Sequence, residues 1–480
     1  MLIKYAALTC YALMVVGIGV IGMRQVKSFS DFLLGGRAVG PVMTAFTYGT
    51  AYFSAVIFVG FAGKVGWVYG CSGLWVAFLN AFGGVFLVWA LVGPRARQAS
   101  LSYQVSTMPE FLEIRYQSKF IKIFASMAIF IFFIPYSAAV FMGLSYLFRS
   151  TFGIDYITAL IFMGAFTAIY LMLGGYKSMA LIDVVFGMIM IIGVSVLLFF
   201  TLNKGGGFER IVFNLSRIDP RLVGFVGPPG AWSLFCLVFL TTAAPFAMPQ
   251  LIQKFFAIKD DKAIQVGKYF CTFFAFLIAV VAYFAGTTTR LFLSPLNSPS
   301  AFHKGEPLFD ALMPELLTQI IPDSLSIVML LLILAASMST LAALVLISSS
   351  CLAKDVYAGF INPKADDKTL TFLMRLFSVF FVILSVCLAY LRPVGIVAIL
   401  GVSWGAIGAC FLGPFIWGLY WKKTNKFAAI SSMLGGLGIC LGFYIAGYPS
   451  TEAGTLGMLA SLLIAPLVSI FFGSSLMRNF

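Results

Sequence analysis

Apolar residues along the chain gather into thirteen stretches separated by short polar segments. They fall at roughly 3–23, 41–63, 72–93, 123–148, 156–173, 178–202, 232–253, 268–291, 324–351, 371–391, 395–420, 427–447 and 456–476. About 20 apolar residues in a helix cross a bilayer. The pattern therefore predicts an all-α integral membrane protein of thirteen transmembrane helices, with residues 1–480 forming one domain. The first stretch resembles a signal peptide in position, but it has no charged leader beyond Lys4 and its apolar run is too long. It is read as a helix.

Two stretches are interrupted. The second reads TAFTYGTAYFSAVIF, with Gly49 beside Thr47, Thr50 and Ser54; the seventh reads LTTAAPFAMPQLI, with Pro245 and Pro249 four residues apart. Each proline removes a helical hydrogen bond. Kinks of this kind are common in membrane helices. Paired interruptions at matching places instead mark the solute site of a transporter built from repeats. The two lie five helices apart, an odd number, so the two units have opposite topology. Repeat one is then 41–202 and repeat two 232–420, with 3–23 as an extra first helix and 427–476 as two C-terminal helices.

In the ninth stretch, Ala336, Ser339 and Thr340 stand at i, i+3 and i+4 and share one face. Two hydroxyls and a carbonyl there, with carbonyls from the break near Thr50 and Phe53, make about five neutral oxygens, a set that suits a hard cation such as sodium. Serines that simply pack helices are the rival reading. Asp183 is the single carboxylate well inside a predicted stretch. Ionisable residues at such depth are functional by default. It either lines the inner exit of a cation, carries a proton, or serves structure by pairing with Lys177 or capping a helix.

Composition narrows the class. Of 480 residues 61% are hydrophobic and 10% charged, against about 25% charged in soluble domains, which excludes a soluble enzyme. Lys and Arg number 31 against 17 Asp and Glu, for a net charge of +14. With the N-terminus outside, most of these basic residues fall in cytoplasmic loops, among them Arg24, Lys27, Arg37, Arg97, Lys254, Lys268 and Arg478, so lipid rather than nucleic acid accounts for the charge. The C-terminus is then cytoplasmic. No GxxxxGK[ST] motif points to ATP. The eight cysteines sit in or beside apolar runs without CxxC spacing, and His303 is the lone histidine, which disfavours metal and Ser-His-Asp chemistry.

Five segments carry a resemblance: SDFLLGGRAVGP (30–41), MPEFLEIRY (108–116), GGYKSMALIDVVFG (174–187), AASMSTLAALVLISSSCLAKDVY (335–357) and GLYWKKTN (418–425). From end to end the chain resembles the sodium:solute symporter family. The resemblance implies a LeuT-type 5+5 inverted-repeat fold with flanking helices, sodium-coupled import of a small solute, and monomers in a bacterial inner membrane. It puts the sodium site on Thr50, Phe53, Ala336, Ser339 and Thr340, and Asp183 on the sodium exit path. Ala342 and Ala343 stand where some relatives hold a second sodium, so one sodium per solute is expected. Tyr52 replaces an aspartate of the proline-type members, and Thr241 and Pro245 replace aromatics. The expected solute pocket is Tyr52, Ser54, Asn80, Thr241, Pro245 and Pro249 with Gln250. It has no charge of its own, and a solute carboxylate would rest on half-helix N-termini. TAYFSA (50–55) resembles the pantothenate and monocarboxylate branch, which points to a small organic acid or an amino acid. A proton-coupled symporter using Asp183 and an uncoupled facilitator are the alternatives.

Overall fold

The computed structural model describes residues 2–24, 28–173, 175–391 and 394–476. Lys27, Gly174 and Arg478 of the sequence reading lie outside them. Helices follow one another almost without interruption: α1 (Leu2–Met23), α2 (Phe29–Leu34), α3 (Pro41–Tyr52), α4 (Ala62–Tyr69), α5 (Leu74–Leu79), α6 (Gly93–Ser102), α7 (Met108–Tyr116), α8 (Lys119–Phe152), α9 (Tyr156–Leu173) and α10 (Tyr176–Gly205). Then come α11 (Phe208–Ile218), α12 (Ala231–Ala243), α13 (Pro249–Ala257), α14 (Asp261–Thr287), α15 (Thr289–Phe292), α16 (Phe309–Ile320), α17 (Ser326–Ser350), α18 (Asp367–Leu391), α19 (Ile396–Tyr420), α20 (Lys426–Ile445) and α21 (Ser450–Leu476). A two-residue hairpin, Phe302–His303 against Glu306–Pro307, is the one sheet among the described residues.

Among the described residues, eleven helical stretches are long and apolar enough to cross a membrane. Helix covers every one of the thirteen predicted stretches, but two do not qualify separately. The stretch 41–63 is cut at Phe53, and its second half runs on with α5 and α6 as Val56–Ser102; Tyr156–Tyr170 is shorter than the rest. Side-chain caps start several helices at the polar connections: Ser28, Thr107, Ser118, Asp260 and Asn425 each accept a first-turn N–H. Apolarity on all sides separates centre from rim. The stretch containing α17 is 94% buried and α19 89%, whereas α1 is 22% and α18 and α20 are 33%. The rim helices present their remaining apolar surface outward, as helices in lipid do. Gly405 and Gly454 bring α19 and α21 so close that a Cβ on either would stand under 3 Å from the other's Cα.

Among the described residues three segments are π-helical: Val56–Phe61, Asn80–Val92 and Cys351–Ile361. Such segments concentrate at functional sites because an extra residue disturbs the hydrogen-bond ladder. Cys351–Ile361 also extends α17 past its predicted end and carries a second buried carboxylate, Asp355, that the sequence reading placed outside the spans.

Candidate functional site

The first break falls at Phe53, whose backbone is extended (φ −105°, ψ 128°). Gly49, the residue that marked it in the sequence, is helical and serves packing: a Cβ there would meet the Phe274 ring at 2.6 Å. The second break is where the prolines put it. α12 ends at Ala243, Ala244–Ala247 form a 3-10 turn, Met248 is extended, and Pro249 opens α13 as its first residue.

The break at Phe53 faces α17. Thr340 Oγ1 lies 3.1 Å from the Ala336 carbonyl oxygen, 3.2 Å from that of Ala51, 3.3 Å from that of Phe53 and 3.4 Å from that of Thr50. One hydroxyl hydrogen serves one acceptor well, so most of this oxygen cluster is left without a donor. Ser339 Oγ donates to Thr50 Oγ1 at 2.7 Å, and Thr50 Oγ1 donates to the Phe46 carbonyl at 2.7 Å. Thr50, Phe53, Ala336, Ser339 and Thr340 thus come together from two helices as a cage of neutral oxygens, with the Ala51 carbonyl added. This donor set fits a hard monovalent cation. Ser337 on the next position of α17 accepts the Ala55 N–H at 3.0 Å and so clamps the far side of the break.

Asp183 of α10 is fully buried, and neither carboxylate oxygen has a hydrogen-bond partner. The polar groups near enough to act on it include Lys254, Ser339 and Thr50, and the tyrosines Tyr11, Tyr170 and Tyr176. It therefore stands beside the oxygen cage, not at a helix end, and Lys177, the partner considered from sequence, is exposed. Lys254, a cytoplasmic loop residue by the charge pattern, lies in α13 with no exposure at all. Lys268 and Lys122 are likewise buried, at 8% and 7%.

A cavity of about 40 Å³ adjoins the break. Four of the expected pocket residues line it: Tyr52, Ser54, Asn80 and Thr241. Pro245, Pro249 and Gln250 do not line it; all three are buried at the second break, Pro245 in its 3-10 turn and Pro249 and Gln250 at the start of α13. The Tyr52 hydroxyl is already engaged, donating to the Thr241 carbonyl at 3.0 Å and joining the two broken helices. The cavity also holds Tyr136, Tyr283 and Trp404, which the sequence reading missed. A signal existed: Tyr and Trp prefer membrane interfaces, and these three sit in the middle of apolar runs. Trp404 packs edge-on against Tyr52 and Tyr136 at 5.8 and 5.9 Å, and its indole N–H lies near the Tyr136 hydroxyl without a well-aligned bond. At this break the half-helix N-terminus cannot receive a carboxylate as expected, because protein oxygens already take its N–H groups. Ser337 takes that of Ala55, and Ser54 takes those of Val56 and Ile57.

The two faces of the bundle differ. On the α7 face, Val39 pairs with Ile258 through backbone bonds that join the approach to α3 with the exit from α13. Arg97 adds bonds to the Ile258 and Lys259 carbonyls and to Asp261. Thr107 donates to Asp355 at 2.8 Å, and Glu110 and Glu113 pair with Lys354 and Lys122. On the α16 face a cavity of about 690 Å³ is lined by Lys64, Arg149, Phe309, Asp310 and Val397 among others. Lys64 is one turn beyond Phe61, and Val397 one turn before Leu400, both of the aromatic cavity. Asp310 accepts the Ile396 N–H at 3.0 Å, tying α16 to the start of α19. Burial raises its carboxyl above the ordinary carboxylate range, against the opposing pull of that bond and of Lys64. One face is thus tied shut, and the other leads inward along α4 and α19.

The chain is similar to known transporters over nearly its whole length. It is 28% identical to the high-affinity proline transporter PutP of Bacillus subtilis (strain 168), covering 94% of this chain and 95% of the relative. It is 28% identical to the sodium/pantothenate symporter of Escherichia coli (strain K12), over 89% and 88%. Among solved structures, a Na+-coupled sialic acid symporter superposes with a TM-score of 0.83 at 18% identity, covering 98% of both chains, which shows a shared fold. The family model matches residues 32–436, and the chain accordingly belongs to the sodium:solute symporter family, whose members are membrane transporters and not enzymes.

Proposed function

We propose that the protein imports a small organic solute with sodium, one ion per solute, by alternating access. The carrying observation is the oxygen cage at the break: four carbonyls from two helices within 3.4 Å of one hydroxyl, with the Ser339 and Thr50 hydroxyls beside them. Sodium bound there would draw α17 against the broken helix and fix the shape of the neighbouring cavity. The solute is an amino acid or a small carboxylate; the proline and pantothenate transport of the relatives supports this class. No charged side chain lines the aromatic cavity. Recognition then rests on neutral donors, the Trp404 indole first, and on ring faces. Ligand pockets usually measure about 300–1,000 Å³, so the cavity must widen to admit solute. The vestibule on the α16 face supplies the approach.

The helices at all thirteen predicted stretches, with breaks five helices apart, support thirteen transmembrane helices and a 5+5 inverted repeat. Repeat one is 41–202 and repeat two 232–420, in a monomer with its N-terminus outside and its C-terminus in the cytoplasm of a bacterial inner membrane. On this orientation the vestibule faces out.

Thermal stability of the purified protein in sodium, potassium and choline tests the reading. A ligand at 100 times its dissociation constant stabilises by about 2.7 kcal/mol, so sodium alone should raise the melting temperature. A second reading has an observation in its favour: the unpartnered, buried Asp183 is a suitable proton carrier. Equal stability in all three salts, with uptake that follows a proton gradient, would select it.

A further inference from the structure

Two opposite charges lie buried beside the oxygen cage without touching. Lys254 has no exposed surface, its ammonium has no hydrogen-bond partner, and it forms no ion pair among the described residues. Asp183 has no exposed surface either, and both its oxygens are unpartnered. The hydroxyls of Ser339 and Thr50 stand near the carboxylate but have other acceptors, and those of Tyr11, Tyr170 and Tyr176, also near it, make no hydrogen bond. The Ser339 hydrogen goes to Thr50 Oγ1, and the Thr50 hydrogen goes to the Phe46 carbonyl. An isolated buried ion is costly unless another charge compensates it. What the carboxylate lacks is a cation, and two cations can supply it: an ion in the oxygen cage, or Lys254.

The surroundings of Lys254 favour a held positive charge. It sits in the last turn of α13, where the helix dipole is negative. Its ammonium lies 4.9 Å from the centre of the Tyr176 ring. Tyr176 opens α10, the helix that carries Asp183, and α13 begins at the second break. Lys254 therefore stands between the half-helix that follows one break and the carboxylate beside the other.

We propose that Lys254 is a tethered counter-ion that competes with sodium for Asp183. With sodium in the cage, the carboxylate serves the ion and Lys254 is held off. When sodium leaves, Lys254 neutralises Asp183, so the empty carrier keeps no uncompensated buried anion and can return. The competition weakens sodium binding, and that weakening is what lets sodium go. Lys254 is thus a positioning residue acting through Asp183. This rests on the sodium reading above.

The test uses the full chain, in nanodiscs for binding and in proteoliposomes for flux. Lys254→Met keeps length and removes charge. It should bind sodium about tenfold or more tightly in a stability titration. It should lose net uptake, while solute exchange in saturating sodium on both sides, which needs no empty carrier, persists. Lys254→Arg should restore wild-type affinity and net uptake. If Lys254→Met does not fold, Lys254→Gln takes the same measurements. Sodium affinity unchanged or weakened in a folded, uncharged variant overturns the inference alone. A wild type indifferent to sodium overturns the sodium reading and this inference with it.

Discussion

Thr340 is where one side chain carries most of the site. Among the described residues its hydroxyl is the sole side-chain donor aimed at the carbonyls of Thr50, Ala51 and Phe53, which lie at the break. Thr340→Val keeps the shape and removes the oxygen. Sodium affinity should fall about tenfold or more, and the loss of a donor to buried carbonyls should cost about 1–3 kcal/mol. A sodium titration of stability reads both, and an unchanged midpoint would place the ion elsewhere. Ser337, three residues earlier, shows that chemistry and spacing alone do not assign a role. It is as buried as Thr340, yet its hydroxyl is spent on the Ile333 carbonyl and the Ala55 N–H. It fixes backbone instead of contributing to the cage.

At the scale of elements, the two broken helices are held together by side chains as well as by packing. Tyr52 of α3 donates to the Thr241 carbonyl of α12, while Thr242 donates at 3.2 Å to Asn80 just past α5, which ties α12 to the third stretch as well. From sequence, Tyr52 is a solute-contacting residue whose hydroxyl sets preference. With the hydroxyl engaged, its ring is what faces the cavity. Tyr52→Phe should therefore lower stability by about 1 kcal/mol and leave sodium affinity unchanged. A melting curve that matches the wild type, with an altered solute profile, would return the hydroxyl to the solute. The same division applies to the prolines. Pro245 and Pro249 determine where α12 stops and α13 starts, and from that stretch Thr241, one turn before Pro245, lines the cavity.

For the whole molecule, the question is how far a gradient can be converted. One charge moved through 100 mV yields about 2.3 kcal/mol, and a tenfold sodium gradient about 1.4 kcal/mol more. A one-to-one symporter thus accumulates a neutral solute by roughly a few hundredfold. Two sodium ions per solute would allow the square of that. Steady-state accumulation in proteoliposomes at a set potential should stop near the lower figure and collapse with a sodium ionophore. Accumulation well beyond it would mean a second ion. The asymmetry of the faces bears on the same cycle. Sealing of the α7 face rests on the backbone pairing of Val39 with Ile258 and on the charged cluster around Asp355. Those contacts must part for the inward-facing state.

Local periodicity made much of this legible. Helix spans follow from the length of apolar runs, and the second break follows from two prolines that no helix can absorb. Ala336, Ser339 and Thr340 share a face because helical spacing dictates it, whatever surrounds them. Contacts between helices were not legible, since they depend on how each helix is rotated and tilted against its neighbours. Tyr136, Tyr283 and Trp404 meet around one cavity from three helices far apart in sequence. Gly49 and Phe53 are four residues apart, and only the approach of Phe274 and α17 decides which is packed and which is broken. Lys254 reads as a loop lysine until the bundle closes over it. The sequence by itself determined the helices, the family and the oxygen-bearing face of α17. The tertiary structure decided what that face meets, because a buried group's partners lie on other helices and only packing brings them within reach.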